Sequence, residues 1–267
     1  MSERPCAAPD ASQEKAPAVS LRWRDVVIAV CAAAMLLAAF PIDAASLQIS
    51  PVSVRFAGEQ QASSIALQNM GDAPIYGQVR VYRWEQKDGE DVLTATRDVI
   101  VSPPIVQIAA GATQAIRLVL TPATKRGVEG TYRVLIDELG REDGGAAQGV
   151  DIRLRYSVPV FLAPLLAPGA AAPRDDALDW LVFRKDGSWM LRVRNDGAIH
   201  AQLGAVDFSN RAGVKFDISK GLFGYVLAGR ERLWKLPVDD KADLAGALSV
   251  RAVINARAPT SFVSRLP

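Results

Sequence analysis

The stretch VDIRLRYSVPVFLAP (150–164) decides how the chain is read. Val150, Ile152, Leu154, Tyr156 and Val158 alternate with Asp151, Arg153, Arg155 and Ser157. A period of two puts the first set on one face of an extended strand and the second on the other. Pro159 has no N–H to give to a ladder. A strand containing it belongs at a sheet edge, and the proline is expected to end the pairing there. Such a long apolar edge invites association with other chains. The glycine-rich GREDGGAAQG (140–149) precedes it and reads as a loop.

The same grammar continues on either side. LQISPVSVRF (47–56), SSIALQN (63–69), IYGQVRVYRWEQ (75–86), IVQIAAGATQAIRLVLTP (105–122) and TYRVLIDEL (131–139) are short runs bounded by Gly, Pro and Asp. Lys87-Asp88-Gly89 is a hairpin signal, and 105–122 divides into two strands around Gly111. No segment before the end keeps a 3.6-residue period for three turns, so the expectation is all-β sandwich architecture. A weak internal repeat doubles it. LQNMGDAPI (67–75) matches VRNDGAIHA (193–201), and AAGATQAIRL (109–118) matches LAGRERLWKL (227–236). Two sandwiches of related topology follow, over 46–163 and 174–267, with LLAPGAAAPRDD (165–176) between them. A chain of 267 residues, 49% hydrophobic, is long enough for two such cores.

The N-terminus reads differently. Arg22 and Arg24 precede the apolar VVIAVCAAAMLLAAF (26–40), then Pro41 and the small-residue end IDAAS (42–46). That order is a secretory signal over 1–44, cleaved after Ala44. The apolar run is short of the roughly 20 residues a membrane span needs, although an uncleaved anchor is the alternative. Both cysteines, Cys6 and Cys31, fall inside this segment. An exported chain without disulfides must be held by its core alone.

Little in the remainder points to chemistry. The net charge of +2 gives no concentrated basic face for nucleic acid. The single histidine, His200, follows a turn and is expected at the surface or rim. There is no nucleotide-binding glycine motif, no serine-nucleophile motif and no clustered His or Cys for a metal. The pairs Asp137-Glu138 and Asp239-Asp240 would point to opposite faces of a strand. An enzyme is therefore not expected, nor a cofactor or metal.

Taken together, the first-domain segments resemble the periplasmic chaperones of the chaperone–usher pilus pathway. The set includes Pro103-Pro104 and the spacing Gln114-x-x-Arg117, while Trp84-Glu85-Gln86 is closest to the archaic branch. The resemblance implies two immunoglobulin-like sandwiches set as a boomerang, in the periplasm, without a cofactor. It implies capture of pilus subunits that lack their last strand, by insertion of a chaperone strand into the subunit's groove, and delivery to an outer-membrane usher. On that reading the donor residues are Val150, Ile152 and Leu154, with Tyr156 as a fourth, and residues near Gln148 order on the subunit. The short loop 140–149 places the chain with the simple-pilus type. Two copies could also pair through the same strand.

One departure matters. The best-known branch holds the subunit's terminal carboxylate with an arginine on the first strand and a lysine on the donor strand. Here Leu47 to Val54 contains no basic residue, and Pro159 stands at the lysine position. Arg133 is the substitute, on the opposite face from Tyr132, Val134 and Ile136, with Arg155 and Arg83 as alternatives. A structural ion pair of Arg133 with Asp137 or Asp151 is the competing assignment. Two other classes compete for the whole chain. One is a pilus structural subunit or adhesin. The other is a secreted carbohydrate- or ligand-binding module using Trp180, Trp189 and Trp234, although the alternation around these tryptophans suits a core.

Overall fold

The computed structural model describes Trp23 and residues 47–122, 129–140, 153–164 and 178–264. Contacts divide the chain into Met1–Ala44 and Ala45–Pro267, and the fold described is that of the second unit. Its described residues are strands, turns and connecting segments.

The first ten strands are β1 (Leu47–Ser50), β2 (Val54–Phe56), β3 (Ala62–Asn69), β4 (Ile75–Lys87), β5 (Glu90–Ala95), β6 (Val99–Ser102), β7 (Ile105–Ile108), β8 (Thr113–Leu120), β9 (Gly130–Leu139) and β10 (Arg155–Leu162). They form two sheets, ordered β1-β3-β8-β6 and β2-β10-β9-β4-β5, with β7 also on β4. Alternation fills the space between them. Val79 on β4, Val134 and Ile136 on β9, and Val160 and Leu162 on β10 meet Ile65, Leu67, Ile116 and Leu118 from the opposite sheet in one buried cluster.

Eight further strands follow: β11 (Leu178–Lys185), β12 (Ser188–Asn195), β13 (Ala201–Ser209), β14 (Lys215–Ser219), β15 (Gly224–Val226), β16 (Glu231–Lys235), β17 (Ser249–Ile254) and β18 (Thr260–Val263). Their sheets are β11-β12-β16 and β14-β13-β17-β18, with β15 on β13. The tryptophans belong to this second core: Trp180 and Trp189 are buried in it and Trp234 packs against it. They do not form a surface suited to a carbohydrate.

The internal repeat is a repeated hydrogen-bonded corner. Asn69 Nδ2 donates to Ala73 O (2.7 Å) and Ile108 O (3.1 Å), and its Oδ1 accepts from Gly71 N (2.9 Å). Asn195 Nδ2 donates to Ile199 O (2.8 Å) and Val226 O (3.0 Å), and its Oδ1 accepts from Gly197 N (2.8 Å). Each buried asparagine thus bonds one carbonyl of its own turn and one buried carbonyl at the end of a neighbouring strand. The matched glycines share a left-handed backbone, Gly111 at φ 69° and Gly229 at φ 65°.

The hairpin at Lys87-Asp88-Gly89 has a second use. Asp88 (φ 54°) and Gly89 (φ 77°) adopt the left-handed pair that a tight hairpin needs. The turn also seats against the second sandwich: Leu233 N donates to Gly89 O at 3.0 Å, and a Cβ at Gly89 would overlap the Leu233 side chain.

Pro159 does not end β10, contrary to the sequence expectation. Pairing with β9 runs from Arg155↔Asp137 through Pro159↔Arg133 to Leu162↔Gly130. Glu138 N donates to Leu154 O (3.1 Å), so the even residues of β10 face β9 with their N–H and C=O groups. The odd residues face away, and the N–H that Pro159 lacks would have pointed off the sheet edge.

Candidate functional site

That parity defines the site's first part. On its outer side β10 meets only β2, in parallel, and only over Val160–Leu162. Among the described residues, no strand covers this side of Arg155 to Pro159. The N–H and C=O groups of Arg155 and Ser157 therefore face outward and are available to an added strand.

The side chains of β10 divide by face. Leu154 and Tyr156 share the side of Val158, toward the first core. Leu154 is 38% exposed, so apolar surface remains to be covered. Tyr156 is already engaged: its ring packs against the first core and its hydroxyl donates to Glu138 Oε1 at 3.2 Å. Burial and then Glu138 push its pKa up to about 12. In the free chain Tyr156 thus packs on its own sandwich. Val150, Ile152, Gln148 and the loop residues 141–149 lie outside the described residues.

The opposite face of the same sheet holds two of the candidate carboxylate anchors, Arg133 and Arg155, whereas Arg83 lies across from Tyr132 on the core side. Arg133 projects there from β9. Its guanidinium carbon lies 3.8 Å from the Trp84 ring centre and 5.3 Å from that of Tyr225, a residue of β15. Burial lowers its pKa, against the raising effects of Tyr225 and Asp91, but an arginine remains cationic. Among the described residues Arg133 makes no ion pair. The competing assignment to Asp137 does not hold, because that carboxylate is taken: Arg80 Nη2 donates to it at 2.6 Å and Arg155 Nε also bonds to it. Burial alone would raise the Asp137 pKa, but the bonds from Arg80 and Arg155 outweigh this and lower it. Asp151 lies outside the described residues.

Arg155 is therefore occupied on the outer face. Arg83 is occupied elsewhere: it pairs with Asp98 at 2.5 Å and sits over Tyr132, whose hydroxyl donates to the same carboxylate. Of the three candidates, Arg133 alone combines partial burial with an unclaimed charge among the described residues. An unpaired, desolvated guanidinium on an aromatic platform favours a planar anion that accepts a forked pair of hydrogen bonds.

Four residues escaped the sequence reading as parts of this region. Trp84 and Tyr225 form the platform. His200, expected at a rim, is 4% exposed, and Glu129 is buried beside it. A residue opening a strand would ordinarily be exposed. Here the first sandwich covers it: the ring stacks on Phe161 of β10 with centroids 3.5 Å apart. Among the described residues no group of three or more His, Cys, Asp and Glu side chains converges as a metal site.

Comparison with known proteins bears on this geometry directly. Residues 46–166 match the model of the pili and flagellar-assembly chaperone family, PapD N-terminal domain. This part of the chain belongs to that family. The similarity in structure extends past it. The chaperone–tip adhesion subunit complex CsuC–CsuE of archaic Csu pili from Acinetobacter baumannii is 25% identical, over 82% of this chain and 98% of that chain, with TM-score 0.62. The Escherichia coli chaperone DraB (17% identical, 84% of this chain and 97% of its own, TM-score 0.55) has the same fold. So does a chain of the Salmonella enterica SafA pilin–SafB chaperone complex (16%, 82% and 97%, TM-score 0.56). No protein of curated function matches. The two-sandwich chaperone architecture is thus that of the whole described chain.

Proposed function

We propose that this chain is an exported pilus-assembly chaperone of the archaic type that lends residues 150–154 to a subunit lacking its final strand. The observation that carries the reading is the open side of β10 between Arg155 and Pro159, continuous with the alternating apolar run Val150, Ile152, Leu154. Main-chain groups on that side would pair with the subunit's groove regardless of its sequence, while the aliphatic side chains fill its pockets. Each would contribute about 1.5–3 kcal/mol on full burial, before ordering costs. Arg133 would take the subunit's terminal carboxylate in the cleft. The subunit would then pass to an outer-membrane usher, and without a subunit the same edge would suit a second copy of the chain.

Residues 1–44 would serve as the cleaved export signal to the periplasm, leaving sandwiches over 46–163 and 174–267. The Csu and Saf complexes hold a tip adhesion subunit and a pilin respectively, which favours a subunit of this kind as the partner. Co-expression with a subunit tests the reading. Wild type yields a one-to-one complex, and Ile152→Asp or Leu154→Asp abolishes it while the free protein keeps its β-sheet circular dichroism. Normal complexes from both variants would remove the donor assignment.

A further inference from the structure

Glu129 precedes β9 in the first sandwich, and its side chain has no exposed surface. A buried carboxylate is costly unless its oxygens are satisfied. Both bonds come from the second sandwich. His200 N donates to Oε2 at 2.6 Å, and His200 Nδ1 lies 2.9 Å from Oε1. The carboxylate partner assigns the proton to Nδ1.

The histidine ring then continues the contact toward the cleft. It lies flat on Phe161, with an interplanar angle of 5°. Phe161 packs against Trp84 (6.1 Å) and Tyr225 (5.9 Å), and His200 itself packs against Tyr225 (6.1 Å). Tyr225 meets Trp84 edge-on at 5.4 Å. Trp84 and Tyr225 are the two rings that flank Arg133. The Tyr225 backbone is held separately, since Gln86 Nε2 donates to Tyr225 O (2.8 Å) and Gln86 Oε1 accepts from Leu227 N (2.9 Å). The main chain of β15 is thus tied by Gln86, while the flank of the tyrosine ring is set by His200 and Phe161.

We propose that Glu129 and His200 bolt the second sandwich to the first so that Tyr225 stands over Arg133, making the second sandwich a positioning part of the anion site. The proposal rests on the reading of Arg133 as carboxylate anchor. Neither Glu129 nor His200 reaches Arg133, so both are positioning residues. Phe161, on which His200 stacks, lies on β10, the strand that carries the open edge.

The test uses the full exported chain and its subunit complex, with His200→Ala, Glu129→Ala and His200→Phe. The last keeps a ring to stack on Phe161 and removes the Nδ1 donor. Two readouts are taken: whether amide residual dipolar couplings from both sandwiches of the free protein fit one alignment tensor, and the dissociation rate of the subunit complex. Wild type is expected to fit one tensor. His200→Ala and Glu129→Ala should need two and should release subunit on the order of tenfold faster. His200→Phe should fall between them and wild type. A single tensor in all variants overturns the bolt. Loosened sandwiches with an unchanged dissociation rate overturn its positioning role. If His200→Ala does not fold, His200→Phe decides alone: wild-type behaviour in both readouts overturns the proposal. Failure of the anchor reading is separate, since it shows as normal subunit binding by Arg133→Ala whatever the tensor result.

Discussion

Replacing Arg133 with alanine should separate the stability of the free chaperone from its grip on a subunit. In the free protein the guanidinium lies 3.8 Å from the Trp84 ring centre, a contact worth about 0.5–2 kcal/mol. Opposing this, burial disfavours the charge, the favourable effects of Tyr225 and Asp91 do not outweigh it, and among the described residues no carboxylate pairs with the guanidinium. The two terms nearly cancel, so unfolding free energy should change by less than about 1 kcal/mol. In the complex the balance differs. On the proposed reading, alanine would remove a charge-assisted hydrogen bond to the subunit's terminal carboxylate and leave that carboxylate unpaired in the cleft. The loss should be about 2–3 kcal/mol, or roughly 30- to 160-fold in Kd. The assay is titration of a subunit groove mimic ending either in a free carboxylate or in a carboxamide. Wild type should prefer the carboxylate by about that factor, and Arg133→Ala should lose the preference. An equal preference in both proteins would refute the reasoning, as would a large loss of stability with binding unchanged.

Two further outcomes follow from the same geometry. Gly89→Ala puts a Cβ into Leu233 at a left-handed position. It should destabilise the protein by about 2–4 kcal/mol in chemical denaturation, as strain and overpacking combine. The Asp137 carboxylate has a folded pKa below its ordinary value because of Arg80 and Arg155, so its contribution is present above about pH 4 and lost as pH falls through the folded pKa. Acid titration of stability should therefore fall less steeply in Asp137→Asn than in wild type, by a small amount because both arginines are exposed enough for solvent to screen them.

Much of the fold was legible because it rests on local rules. Alternation marked the strands, Asp88-Gly89 marked the hairpin, and the repeat around Asn69 and Asn195 pointed to two related sandwiches, in which the structure adds the shared buried corner. Pro159 was misjudged because composition does not reveal hydrogen-bond parity: at an odd position of β10 it costs the β9 ladder nothing. Tyr156 fits the alternation whether it faces its own core or a partner's groove, and only packing distinguishes the two. The site was legible in part. Arg133 was singled out through the resemblance, with alternation placing it on the face away from the core, but its platform needs Tyr225, which is brought to it by the meeting of two sandwiches. Glu129 and His200 pair across the same junction, 71 residues apart, with no spacing signal to link them.

The central claim is strand addition at the open side of β10, and amide exchange tests it residue by residue. In the free protein the N–H groups of Tyr156 and Val158 face β9 and should be protected, while those of Arg155 and Ser157 face outward and should exchange fast. In the subunit complex Arg155 and Ser157 should become protected, with Tyr156 and Val158 little changed. Continued fast exchange of Arg155 and Ser157 in a stable complex would contradict the account.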